Sequence, residues 1–132
     1  MSNEDLKIAM HEAELTQVLS GIPLGYSIYR VPCDSRRIAA TTRISERRVR
    51  ELIEELRNRG HLICNRQDGR GYYIAETREE VESQYRQDCA RAMSILRRIK
   101  PFRHYLRKTE DTGDQITWED LALEEIISKG EL

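Results

Sequence analysis

Two amphipathic helices separated by a tight turn are predicted between residues 35 and 59. The first helix covers 35–41, where the small side chain of Ala39 lets a second helix approach closely. Ser45 can cap the second helix, 46–59, because a serine hydroxyl accepts a free backbone N–H of the first helical turn. The second helix has the i, i+3, i+4, i+7 apolar stripe of a helix with one buried face: Val49, Leu52, Ile53 and Leu56. These patterns predict a helix-turn-helix unit.

Shorter patterns on either side of this unit complete the order of elements. Residues 4–20 have apolar side chains near helical spacing, and residues 27–31 (SIYRV) read as a short strand. A hairpin is predicted over 61–75, because Asp68-Gly69 is a strong turn signal between two apolar runs.

A long helix is predicted after the hairpin. Thr77 and Glu80 form the capping box T-R-E-E that starts a helix. The apolar pattern continues to about Ile99, and Pro101 is expected to end the helix. Because the only sheet is a hairpin, the predicted fold is mainly α with a small β-hairpin (α+β), followed by a long C-terminal helix.

The order helix, strand, helix, turn, helix, hairpin, helix is that of a winged helix-turn-helix. Residues 38–62 resemble the winged helix-turn-helix of the biotin-repressor type, and residues 12–99 resemble small winged-helix proteins of bacteriophages and prophages. Two positions depart from the pattern: Arg43 stands where the turn often has glycine, and Thr42 where it often has leucine. A left-handed backbone at Arg43 costs roughly 1 kcal/mol. The resemblance rests on Ile38, Ala39, Ile44, Val49 and Ile53, and on GYYIAETREEVE from Gly71 to Glu82.

Three regions are predicted along the chain, and the resemblance implies the identity of the first. Residues 1–76 are the winged helix-turn-helix DNA-binding domain, and residues 77–108 are a long helix and basic segment that are candidates for dimerisation. Residues 109–132 are an acidic tail with a short amphipathic helix, whose apolar residues include Trp118 and Leu121. The tail is expected to dock either on the basic segment of its own chain or on a protein partner.

Charge is strongly segregated along a chain whose net charge is only −1. Residues 33–75 contain ten arginines, no lysine and six acidic residues, and residues 91–108 contain seven basic residues and no acidic one. Residues 109–132 contain eight acidic residues and one lysine. Basic segments are the usual footprint of nucleic-acid binding, so double-stranded DNA is the predicted partner. For 91–108 the alternative is that its charge only neutralises the acidic tail.

The resemblance implies that 46–59 is the recognition helix, docked in the major groove through its N-terminal half. Helical periodicity turns Arg47 and Arg50 outward, and guanidinium groups match O6 and N7 of guanine. The hairpin tip, 66–71, is then the wing, which lies on the DNA backbone or in the minor groove. The predicted DNA contacts are Arg36, Arg37, Arg43, Ser45, Arg47, Arg48, Arg50, Glu51, Arg66 and Arg70.

The long helix has apolar residues that favour a homodimer. Tyr85, Ala92 and Ile99 are seven residues apart, which is the spacing of a coiled-coil stripe. The alternative is a terminal helix that packs on its own domain. The predicted dimerisation residues are Tyr85, Cys89, Ala92, Leu96 and Ile99.

The sequence shows no pattern for catalysis, since no Ser/His/Asp or Cys/His set and no Gly-rich phosphate loop is found. We therefore predict a protein that is not an enzyme and needs no cofactor or metal. Three cysteines without Cys-x-x-Cys argue against a disulfide framework. No apolar run approaches the ~20 residues of a membrane span, so no membrane contact and a cytoplasmic location are expected.

The leading hypothesis is a sequence-specific DNA-binding protein that regulates transcription for a phage or prophage. One alternative is a phage replication accessory protein that binds an origin and recruits a partner. Another is a winged helix used only for protein–protein contact, because a fold alone does not determine function. The arginine-bearing recognition helix favours the DNA-binding hypotheses over the last.

Overall fold

Four helices and one hairpin make up the part of the chain that the structure describes. The structure is a computed structural model that describes residues 2–109. In chain order the elements are α1 (Asn3–Ser20), α2 (Ser35–Thr42), α3 (Glu46–Asn58), β1 (Ile63–Asn65), β2 (Tyr72–Ile74) and α4 (Arg78–Thr109). The predicted mainly helical fold with a small hairpin and a long C-terminal helix is confirmed. The acidic tail predicted for 109–132 lies, beyond Thr109, outside the described residues.

The described residues divide into two units, with the boundary between Gln84 and Tyr85. The division falls inside α4, because the first turns of this helix are bonded to the hairpin. The backbone N–H of Asn65 in β1 donates to Oε1 of Gln84 at 2.8 Å. The first unit therefore contains α1, α2, α3, the hairpin and the start of α4.

The core of the first unit forms around one face of α3. This face buries the four apolar residues predicted for it, Val49, Leu52, Ile53 and Leu56. Burial of apolar surface stabilises a fold by about 25 cal/mol per Å², so the stripe fixes which side of α3 remains in water. Ala39 of α2 packs half-buried against this core. The other elements contribute Leu15, Val18, Ile38 and Ile63 to it.

Side-chain caps determine where two of the helices begin. The hydroxyl of Ser45 accepts from the N–H three residues further on at 3.2 Å, as predicted for the start of α3. At the start of α4, Glu80 N–H donates to Thr77 Oγ1 at 3.2 Å and Thr77 N–H donates to Glu80 Oε1 at 3.1 Å. Each cap satisfies a backbone N–H that the helix itself leaves open. The predicted capping box is therefore confirmed.

The hairpin is antiparallel, with Ile63 opposite Ile74 and Asn65 opposite Tyr72. Its turn includes Gly69, whose φ of 73° lies in the left-handed region that glycine adopts without steric cost. The turn predicted at Asp68-Gly69 is thus confirmed.

The strand predicted over 27–31 is wrong, because these residues form a loop with a turn at 28–29. The segment that lies beside β2 comes earlier in the chain. Gly25 N–H donates to the Ile74 carbonyl at 2.7 Å, and Ile74 N–H donates to the Pro23 carbonyl at 2.8 Å. The apolar alternation is not a burial pattern here, since the side chains concerned are exposed: Ile28, Tyr29 and Val31.

The predicted end of the long helix before Pro101 is also wrong, because α4 continues through this residue to Thr109. A proline inside a helix lacks an N–H donor and crowds the carbonyl four residues earlier, which costs about 3 kcal/mol. The carbonyl that loses its partner belongs to Arg97, and both Arg97 and Pro101 are exposed, so water can solvate this carbonyl. The flanking residues also favour helix, and they include Arg97, Arg98, Lys100 and Arg103.

Arg43 adopts the left-handed region, with φ 62° and ψ 22°, at the C-terminal end of α2. Glycine adopts this conformation without a Cβ penalty, so Arg43→Gly is expected to raise the free energy of unfolding by about 1 kcal/mol. Urea unfolding measures the change. The control is Arg43→Ala, which removes the guanidinium but keeps the β-carbon. Equal stability of the two variants would show that the backbone at this position is not strained.

Candidate nucleic-acid interface

The N-terminal half of α3 presents two arginines on the side opposite the core. The side chain of Arg47 is 88% exposed and that of Arg50 is 55% exposed. Arg47 Nε lies 3.6 Å from Glu51 Oε1, and Arg50 Nη1 lies 3.2 Å from Glu46 Oε1. Exposed ion pairs of this kind contribute only about 0–1 kcal/mol. Both guanidinium groups can therefore exchange these carboxylates for another acceptor.

Arg48 lies on a different side of α3 and connects this helix to α1. Its Nη2 donates to His11 Nδ1 at 2.8 Å and lies 3.4 Å from Glu14 Oε1. His11 is bonded in turn through Nε2 to Glu55 of α3, at 2.6 Å. This network joins the two helices and engages the Arg48 guanidinium within the chain, so Arg48 is left out of the DNA contact proposed below.

The predicted contacts on α2 and in the turn lie at the surface. Arg36 and Arg37, in the first turn of α2, are exposed, and so is Arg43 between α2 and α3. Ser45, which caps α3, is exposed as well. The N-terminal end of a helix carries a partial positive charge and free N–H groups, which favour an anion such as a phosphate.

The hairpin tip exposes one arginine and buries the other. Arg70 is exposed, and its backbone N–H donates to Asp68 Oδ1 at 3.0 Å. Arg66 is only 8% exposed, and its guanidinium donates to Asp68 Oδ2 at 2.9 Å and to the Arg30 carbonyl at 3.3 Å. The Arg70 N–H and the Arg66 guanidinium hold the pKa of Asp68 below its ordinary value. Because the Arg66 guanidinium is buried and bonded within the chain, we leave this residue out of the DNA contact proposed below.

Residues 33–35 connect the hairpin to the N-terminal ends of α2 and α3. The N–H of Tyr72 in β2 donates to the carbonyl of buried Cys33 at 2.8 Å. Asp34 caps α2, and Ser35 Oγ donates to Oε1 of Glu46, the first residue of α3, at 3.2 Å. The exposed arginines of α2, α3 and the hairpin tip thus belong to three elements held at one junction. No local sequence pattern predicts this junction, because Cys33 and Tyr72 are far apart in the chain.

The five predicted dimerisation residues all lie on the part of α4 that belongs to the second unit. Tyr85 is 61% exposed. The other four are half-buried: Cys89, Ala92, Leu96 and Ile99. Their spacing of three and four residues places them on one face of the helix.

Within 2–109, no group of three or more His, Cys, Asp or Glu side chains is placed to hold a metal ion. No helix in this range is long and apolar enough to cross a membrane. The three cysteines are unbridged, with Cys33 and Cys64 buried and Cys89 half-buried. Burial raises the pKa of the Cys33 thiol, which keeps it neutral near pH 7.

Comparisons of this chain with protein-family models, with curated proteins and with solved structures found no match. Its function is therefore inferred from its own residues. The surface of α2, the turn before α3 and the N-terminal half of α3 exposes five arginines, Arg36, Arg37, Arg43, Arg47 and Arg50, and Arg70 at the hairpin tip adds a sixth. Such a cluster of cations suits a polyanion that also presents hydrogen-bond acceptors.

Proposed function

We propose that the chain binds double-stranded DNA in a sequence-specific manner, as a winged helix-turn-helix. The observation that supports this most is the exposure of Arg47 and Arg50 on α3, opposite a fully buried apolar face. A helix of this kind fits the major groove, which carries a distinct donor and acceptor pattern for each base pair. From there the two guanidinium groups form bidentate hydrogen bonds with guanine, and Glu51 accepts from cytosine N4.

The surrounding exposed residues are proposed to contact the DNA backbone. Arg36 and Arg37 approach it from α2, Arg43 and Ser45 from the turn, and Arg70 from the hairpin tip, which acts as the wing. Phosphate contacts fix the register of a protein on DNA but carry no sequence information directly. Residues 33–75 contain ten arginines and no lysine. This suits bidentate recognition, because lysine lacks the planar fork of the guanidinium group.

The resemblance to phage and prophage winged-helix proteins favours a role as a transcriptional regulator that acts without a cofactor. A replication accessory protein would use the same DNA-binding surface but a different target. Selection of bound fragments from random and from phage genomic DNA separates the two. Enrichment of promoter-proximal sites supports the regulator, and enrichment of an origin supports the replication role.

The same selection, followed by affinity measurements at several salt concentrations, tests the proposal itself. We expect a recurring sequence among the bound fragments and an affinity that falls steeply with salt, because phosphate contacts release counterions. Failure to shift any duplex at ~50 mM salt, together with no enriched fragment, would contradict the proposal and leave the protein-contact role.

We also propose that the chain forms a homodimer through α4, because two DNA half-sites raise both affinity and specificity. Leu96→Glu places a charge in the proposed seam, so it is expected to give a monomer whose helix content is unchanged. Ser94→Glu adds the same charge at an exposed position outside the seam and should leave the dimer intact. Sedimentation velocity measures both, and a monomeric unmodified chain at ~100 μM would exclude the dimer.

A further inference from the structure

The loop between Gly25 and Cys33 exposes large apolar side chains at its tip. Tyr29 is 92% exposed, Ile28 is 66% exposed and Val31 is 62% exposed. Single exposed apolar residues are common on protein surfaces, but contiguous ones mark interaction sites. This tip has no role in the contacts proposed above, which are polar or charged.

The loop is held in place by two arginines. Arg30 Nη1 donates to the carbonyls of Leu24 and Gly25 at 3.0 and 2.9 Å, which closes the loop on itself. The guanidinium of Arg66 donates to the Arg30 carbonyl at 3.3 Å and lies 5.2 Å from the ring centre of Tyr26. Both cations are used to order the backbone. An apolar tip that is ordered before binding loses less conformational entropy when it contacts a partner.

The loop leads directly into the junction at 33–35, where the hairpin meets the N-terminal ends of α2 and α3. The Cys33 carbonyl accepts from Tyr72 N–H, and the next residue, Asp34, caps α2. The loop is also bonded to the first residue of the hairpin tip, through Arg66 Nη1 and the Arg30 carbonyl, and only four residues separate Val31 from Arg36 of α2. Apolar side chains next to minor-groove or backbone cations are the arrangement with which proteins unstack and bend DNA.

We propose that Tyr29, with Ile28 beside it, contacts the bases of duplex DNA as an apolar wedge next to the wing. The inference rests on the proposed function and adds to it a contact that distorts the DNA. An aromatic ring stacks on bases of any sequence, and an apolar contact releases no counterions. The wedge therefore adds affinity without adding to the salt dependence.

The full chain with Tyr29→Ala tests the wedge on the selected DNA site. We expect binding to weaken about tenfold or more, with the slope of log affinity against log salt unchanged. We also expect a loss of the DNA bend, as measured by energy transfer between the ends of the duplex. Tyr29→Phe keeps the ring and should restore both affinity and bend.

Two matched isoleucines provide the control. Ile28→Ala is expected to weaken binding, whereas Ile8→Ala, at a 62% exposed position on α1, should leave it unchanged. If Tyr29→Ala binds and bends DNA like the unmodified chain, the wedge is excluded and the loop is left for a protein partner. A salt slope that falls together with affinity also overturns the wedge, since it shows lost phosphate contacts. If the unmodified chain binds no DNA, the proposed function itself fails first.

Discussion

Replacing Arg47 or Arg50 with alanine is expected to weaken binding to the selected DNA site by about 1–3 kcal/mol for each substitution. Each guanidinium occupies a solvated position from which it can make a bidentate contact, and alanine leaves the base acceptors unpaired. The loss should be smaller on unrelated sequences, so each variant should also tolerate more bases at one position of its site. Fluorescence anisotropy with the selected site and its single-base variants measures both effects.

The control for these substitutions is Arg59→Ala, which removes the same charge just after the C-terminal end of α3. The Arg59 guanidinium donates to both carboxylate oxygens of Glu12 in α1, at 2.8 and 3.0 Å. It therefore lies away from the proposed groove contact and should affect DNA binding much less. Equal losses for Arg47→Ala and Arg59→Ala would indicate a general charge effect and would contradict the assignment of α3 as the recognition helix.

Local sequence patterns were sufficient to predict the helices around this surface. The stripe from Val49 to Leu56 and the Ser45 cap predict α3 correctly, because burial periodicity and capping act within one or two turns. The hairpin turn at Asp68-Gly69 follows in the same way from backbone preference. These elements were predictable because the residues that determine them are neighbours in the chain.

Which arginines stay exposed and which bond within the chain was not predictable, because their bonding partners lie far away in sequence. Arg48 bonds to His11 in α1, and Arg66 bonds to the carbonyl of Arg30 in the loop before α2. Helical periodicity turns Arg47 outward, but it does not show that Arg48 bonds to another helix, and no local pattern distinguishes Arg66 from Arg70, which stays exposed. The charge count thus located the basic region of the chain, but packing decided which cations remain available.

The two wrong elements have a related cause. Residues 27–31 alternate like a strand, yet a strand also needs a partner edge, and the edge of β2 is taken by residues 23–25. Proline usually ends a helix, but at Pro101 the loss of one hydrogen bond is tolerated because water can solvate the carbonyl concerned. In the first case the occupied edge of β2 outweighed the local strand preference, and in the second the solvation of the carbonyl outweighed the local preference of proline.

Gly71→Ala is expected to lower the free energy of unfolding by about 3 kcal/mol, which combines backbone strain with a lost hydrogen bond. The φ of Gly71 is 139°, and a β-carbon there would lie 2.5 Å from the Cys33 carbonyl oxygen. That oxygen accepts the Tyr72 N–H, so it cannot move away without breaking the contact that joins the hairpin to the junction. Urea unfolding of the full chain measures the loss.

Gly69→Ala separates the steric clash from the general cost of replacing a turn glycine. Gly69 has a φ of 73°, and a β-carbon there meets nothing within 4 Å, so its replacement should cost only about 1 kcal/mol. Similar losses for the two variants would contradict the close packing at Cys33. Cys33 is followed by Asp34 and Ser35, which bond to the N-terminal ends of α2 and α3. A clash at Cys33 in Gly71→Ala should therefore also displace the wing from these helices. Below the unfolding transition it should therefore weaken DNA binding more than Gly69→Ala does, although neither variant removes a charged group.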